Sequence, residues 1–215
     1  IHHSGQDILR FHAVFWPAFL MAAGLPLPRT VYGHGWWLKD DSKMSKSRGN
    51  VLDPNDILKV FGPDPLRYFL LREIPVGQDG NFSHEAFVHR VNSDLANDLG
   101  NLVHRTLTMI RNYFGGRVGE PGPEEEADRA LRLEFEDLKK RAFALFDDCA
   151  LNRALEEVWA YTNSVNKYLA ESEPWMLAKD PARKKRLGRI LLQAAAAIRG
   201  IAYLAYPVIP VSTEK

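Results

Sequence analysis

Residues 6–23 place Ile8, Phe11, His12, Phe15, Trp16 and Phe19 at helical spacing, which predicts a helix ended by Gly24 and Pro26. Pro17 lacks a backbone donor, so a kink is expected there. Residues 30–38, TVYGHGWWL, are β-branched and aromatic and predict one buried strand. The polar stretch DDSKMSKSRGN (40–50) follows, with neither strand alternation nor a helical repeat. Asp53 and Pro54 open a short helix in DPNDILKVFG, and DPLRYFLLREI predicts another, with Asp64 as its cap and Pro65 in its first turn. Ser83 starts a long amphipathic pattern that runs to about Phe114. After the loop GGRVGEPGP, helices are expected near 124–148, 151–171, 173–179 and 181–205. The chain therefore reads as mostly α: an α/β piece, a small mixed connector and a helical bundle.

Composition narrows the classes. A chain of 215 residues with 46% hydrophobic and 26% charged positions can bury a proper core. The net charge of +1 argues against a domain that coats DNA, and DNA is not expected as a partner. Charge is instead local: EPGPEEEAD (120–128) is acidic and RKKRLGR (183–189) is basic. The basic run could follow RNA phosphates, although such runs are more often solvated faces. The single cysteine, Cys149, excludes an internal disulfide and a cysteine-based zinc site, and no metal ligands are assigned. This composition fits a reducing cytoplasm. The apolar runs read as too short for a membrane span, and no membrane partner is expected. The chain begins IHHSGQD and ends PVSTEK, which suggests a piece of a longer protein.

The lysine-bearing loop raises the question of chemistry. Two mobile ammonium groups three residues apart, Lys43 and Lys46, suit a polyphosphate whose charge redistributes during reaction. The Gly-x-x-x-x-Gly-Lys spacing of a Walker loop is absent. KMSKS, standing between a strand and GNVLDP, matches the second ATP motif of the class I aminoacyl-tRNA synthetases. GQDILRFHAVFWPAFLMAAGLPLP, HGWW, KMSKSRGNVLDP, DPLRYFLLREIPVGQDGNFS, LANDLGNLVHR and NKYLAESEPWMLAK follow in the same order. In these segments the chain resembles the methionyl-tRNA synthetases over nearly its whole length. Gln6 departs from the family's usual lysine.

The resemblance implies residues 1–42 as the end of a Rossmann-type catalytic domain, 43–83 as the KMSKS loop and stem-contact region, and 84–215 as a helical anticodon-binding domain. It implies ATP-dependent activation of methionine, with Mg²⁺, followed by transfer to tRNA(Met). Lys43 and Lys46 would be the catalytic pair. Gly35, Trp36, Trp37, Lys43, Met44, Ser45, Lys46 and Ser47 would meet ATP. Ile8, His12, Phe15 and Trp16 would form the methionine pocket, with Asp7 near the adenylate; on spacing alone such an aromatic stripe is more often core packing. Asn101 and Arg105 share a helix face and, with Pro174 and Trp175, would bind the anticodon. The family's first ATP motif, His-x-Gly-His, does not occur in the chain, so the piece alone is expected to make no adenylate. Two rival readings are a non-catalytic tRNA-binding module of synthetase origin and another class I synthetase. KMSKS speaks against the first, and EPW with NDLGNLVHR against the second.

Overall fold

The computed structural model describes residues 2–39, 42–44, 52–75, 77–118 and 120–214. Its first part is a parallel βαβ unit. β1 (His2–Gly5) pairs in parallel with β2 (Val31–His34), His2 opposite Val31 and Gly5 opposite His34. Parallel neighbours need a crossover, and the helical segment between them provides it. That segment runs as a 3-10 turn (Gln6–Ile8), a π-helical stretch (Phe11–Phe15) and α1 (Trp16–Ala22). The disturbance expected at Pro17 is thus a change of helical register. The amide of Trp16 bonds five residues back to Phe11, and Pro17 sits in the first turn of α1.

The single strand expected over 30–38 is two strands in two sheets. β2 ends at His34; β3 (Trp37–Lys39) lies between β4 (Ser42–Lys43), antiparallel, and β5 (Gly80–Phe82), parallel. Gly35 makes the break. A Cβ there would lie 2.1 Å from the carbonyl oxygen of Gln78, closer than any side chain tolerates. Side chains of both strands are half-buried or exposed, and between them only Gly35 is buried.

The connector is closed by α2 (Pro54–Phe61), α3 (Pro63–Glu73) and β5 around Ile57, Leu66, Phe69, Phe82 and Phe87. Asp53 caps α2 as expected, accepting the Asn55 amide at 2.9 Å. Asp64 does not cap α3. The helix begins one residue earlier at Pro63 with Gly62 as its N-cap, and buried Asp64 instead accepts the Ser212 amide from α10 (Pro210–Thr213).

The long helix is continuous but changes register: α4 (His84–Arg90), a π-helical stretch (Val91–Gly100) and α5 (Asn101–Phe114). Ser83 caps it through the Ala86 amide, and left-handed Gly115 ends it. α6 (Glu126–Asp147), α7 (Leu151–Ser172) and α9 (Lys184–Ala205) pack against it, with a short α8 (Pro174–Leu177) between α7 and α9. Leu102, Leu138, Leu155, Val165, Leu191 and Ile201 are at the centre of their core. Contrary to the sequence expectation, residues Pro181–Ala205 are long and apolar enough to cross a membrane. Half of that window is buried against the rest of the bundle, and the core face of α9 accounts for the apolarity.

A buried polar node joins connector and bundle. The Tyr68 hydroxyl donates to Asp94 at 2.7 Å, and the Trp159 indole N–H donates to the Asp94 carbonyl at 3.0 Å. Arg90 bridges Glu73 and Asp94. The two charge-biased segments also meet. Arg186 pairs with Asp128 and Glu125, Arg189 donates to the Gly122 carbonyl, and Lys184 lies over the Phe114 ring. Much of the basic run therefore anchors the acidic loop. Burial opposes ionisation of Asp128, but bonds from Arg186, the Glu125 amide and Tyr168 win and hold its carboxyl below the usual range.

Candidate functional site

The first cleft lies along the crossover helix. Phe11, His12, Phe15, Trp16 and Phe19 line about 410 Å³. The His12 Nδ1–H donates to the Ile8 carbonyl at 3.0 Å, so in the neutral ring Nε2 is the acceptor. The His12 and Trp16 rings meet edge to face at 6.4 Å, and Phe11 and Phe15 lie 5.6 Å apart. The structure thus brings His12, Phe15 and Trp16 together and adds Phe11 and Phe19. Ile8 contributes its carbonyl and is not among the lining residues. Asp7 sits at the end of β1, where a Cβ on Gly5 would come within 2.7 Å of its carboxylate oxygen.

The turn at 35–37 is held from across the connector. The Trp36 amide donates to Asp79 at 2.7 Å, and the Trp36 carbonyl accepts the Gly80 amide at 2.8 Å. The His34 Nδ1–H donates to the Gly35 carbonyl at 2.9 Å. The Trp37 ring faces the connector core, 6.1 Å from Phe69. The Trp36 amide hydrogen is thereby taken by Asp79, and the Trp37 indole packs on the connector core. Lys43 lies on β4 opposite Leu38, and Met44 beside it is half-buried. Ser45, Lys46 and Ser47 lie outside the described residues.

A second cleft opens on the bundle. His104, Arg105, Met109 and Tyr113 of α5, Leu169 of α7 and Trp175 of α8 border about 350 Å³. Arg105 donates from Nη2 to Asn166 Oδ1 at 2.7 Å, and Asn166 Nδ2 donates to the Asp98 carbonyl at 3.0 Å. The guanidinium is thereby oriented from a second helix. Burial, reinforced by Asp94, pushes the Asp98 carboxyl up. Trp175 is 42% exposed, and Pro174 beneath it is buried. The backbone of Glu173 is left-handed (φ 42°) and its carbonyl accepts the Met176 amide at 2.8 Å, which turns the chain so that the indole reaches α5. Asn101 is exposed one turn before Arg105 and does not line the cleft. Asn166, Tyr113 and the left-handed Glu173 escape sequence reasoning; an Asn in the middle of an amphipathic helix carries no local sign of its partner.

Residues 1–107 match the family model for tRNA synthetases class I (M). The whole chain is 47% identical to the methionine–tRNA ligase of Caldanaerobacter subterraneus subsp. tengcongensis and 49% identical to that of Brucella suis. It spans 34% and 41% of their lengths. Over 99% of its length it superposes, with a TM-score of 0.95 and 45% identity, on 42% of Mycobacterium tuberculosis methionyl-tRNA synthetase in complex with methionyl-adenylate. The chain belongs to the class I methionyl-tRNA synthetases, of which it represents about a third to two fifths.

Proposed function

We propose that the chain supplies two working parts of a methionine–tRNA ligase: the methionine side of the activation site with its KMSKS loop, and the anticodon reader. The observation that carries this is the superposition of nearly the whole chain on a synthetase complexed with methionyl-adenylate. In the first step the methionine carboxylate attacks the α-phosphorus of ATP, the bond to the bridging oxygen breaks, and pyrophosphate leaves. In the second a hydroxyl of the terminal adenosine of tRNA(Met) attacks the adenylate carbonyl and AMP leaves.

The ring-lined cleft suits the thioether, since sulfur–aromatic contacts contribute about 0.3–1.5 kcal/mol each. His12 and Trp16 form one wall, with Phe15 beside them, and Ile8 orients His12 through its carbonyl. Asp7 stands at the strand end, beside where the adenylate would lie. Gly35 and Trp37 would meet adenine through their backbone. Lys43 and Lys46, with Met44, Ser45 and Ser47, would close over the triphosphate and stabilise the charge on departing pyrophosphate. Mg²⁺ enters as the chelate of ATP, the substrate form. A cytoplasmic location fits the bacterial methionine–tRNA ligases that the chain resembles.

At the other end, Trp175 offers a partly open π-face and Arg105 a fixed fork, which suit an unstacked anticodon base. Asn101 extends that face by one turn. The test is binding of this chain to two RNA stem-loops that differ only in the anticodon, CAU against a scrambled triplet, at one salt concentration. Preference for CAU by about tenfold or more, the scale of one lost base contact, supports the reading; equal affinities reject the anticodon role.

A further inference from the structure

A third cavity, of about 220 Å³, lies where the βαβ unit, the connector and the bundle meet. Tyr32 and His34 from β2, Gly35 from the turn after it, Trp37 from β3, Leu70 from α3, and Cys149 and Asn152 from the α6–α7 junction surround it. It shares no lining residue with the ring-lined cleft or the anticodon cleft. One side is closed by the Tyr32 hydroxyl, which donates to the Cys149 carbonyl at 3.3 Å. Cys149 has a left-handed backbone (φ 57°), the conformation that ends α6 and turns the chain into α7.

The chemistry of the walls selects a ligand. Among the described residues no Lys, Arg, Asp or Glu lines the cavity. A charged guest would lose its hydration without gaining a partner, so a neutral one is required. Trp37 and Leu70 supply apolar wall. Buried Asn152 carries an amide able both to donate and to accept. His34, whose Nδ1–H is committed to Gly35, has Nε2 as an acceptor. At about 30 Å³ for each water, the space corresponds to roughly seven waters, enough for a fused bicycle.

We infer that this junction cavity binds a small neutral bicyclic heteroaromatic bearing one ring N–H, held by the Asn152 amide and packed on Trp37 and Leu70. Indole, and indene as the same shape without the N–H, are titrated into the methyl-labelled chain and followed by NMR. Indole is expected to shift the methyl resonances of Leu70, Leu71, Ile74 and Leu151 saturably. Indene is expected to bind about two- to tenfold more weakly, the range for one neutral hydrogen bond. In Asn152→Leu that gap is expected to close. No shift at those methyls, shifts confined to leucines beside the ring-lined cleft, equal affinity for the two probes, or a gap that persists in Asn152→Leu would each overturn the assignment. Should Asn152→Leu fail to fold, the comparison of indole and indene in the native chain still decides.

Discussion

Replacing Trp175 with alanine removes the indole that lines, with Arg105 and Leu169, the cleft proposed to hold an anticodon base. The residue is 42% exposed, so a little over half of it packs on the bundle. Roughly 100 Å² of apolar contact is lost, a stability cost of about 2 kcal/mol. In a domain of this size that lowers Tm by about 4–8 °C, leaving a folded protein to assay. Binding should suffer separately. A base stacked on an aromatic ring contributes ~1–3 kcal/mol, so the Kd for a CAU stem-loop should rise about 5- to 150-fold. Fluorescence anisotropy with a labelled stem-loop at fixed salt measures this, and the melting curve reports the structural part. Trp175→Phe, which keeps a π-face, should recover most of the affinity. An unchanged Kd in Trp175→Ala, or a loss not recovered by phenylalanine, would refute the stacking argument.

Other expectations follow from the same geometry. Arg105→Lys gives up the planar fork held by Asn166 and should weaken stem-loop binding by about tenfold with little change in Tm, since an exposed polar contact adds little stability. Gly35→Ala forces a Cβ to 2.1 Å from the Gln78 oxygen, so faster amide exchange at Trp36 and Gly80 is expected; unaltered protection would contradict the close approach. Asp128→Asn leaves Arg186 without its buried partner and should cost about 3–5 kcal/mol in urea unfolding. Because the Asp128 carboxyl is held below its ordinary range, its stabilisation is complete above about pH 4 and is lost as pH falls through the folded value. The acid side of the stability curve should therefore be shallower in Asp128→Asn than in the native chain.

What could be read in the sequence was what local chemistry decides. Asp53 and Ser83 announced their helices because a cap bonds within three residues of itself. Trp175 and Arg105 stood out because they fall in recognisable segments, and the structure sets them on one cleft. The break at Gly35 was not legible: the groups that hold it, Gln78 and Asp79, lie more than forty residues away. Asp64 looked like a cap because its true partner, the Ser212 amide, comes from the far end of the chain. The π-helical register at 91–100 was hidden because its apolar spacing differs little from that of an α-helix. The basic run read as a solvated face more readily than as an RNA contact; that Arg186 and Arg189 hold the acidic loop was not legible, because their partners lie 58 and 67 residues away.

The role of the lysine loop is tested most directly by Lys46→Ala in a protein that joins this chain to a His-x-Gly-His-bearing half. Methionine-dependent pyrophosphate exchange is measured beside equilibrium ATP binding. Stabilisation of the departing pyrophosphate predicts a fall in the exchange rate constant of about a hundredfold or more, with ATP affinity changed by less than about tenfold. Equal losses in rate and affinity, or an unchanged rate, would contradict it.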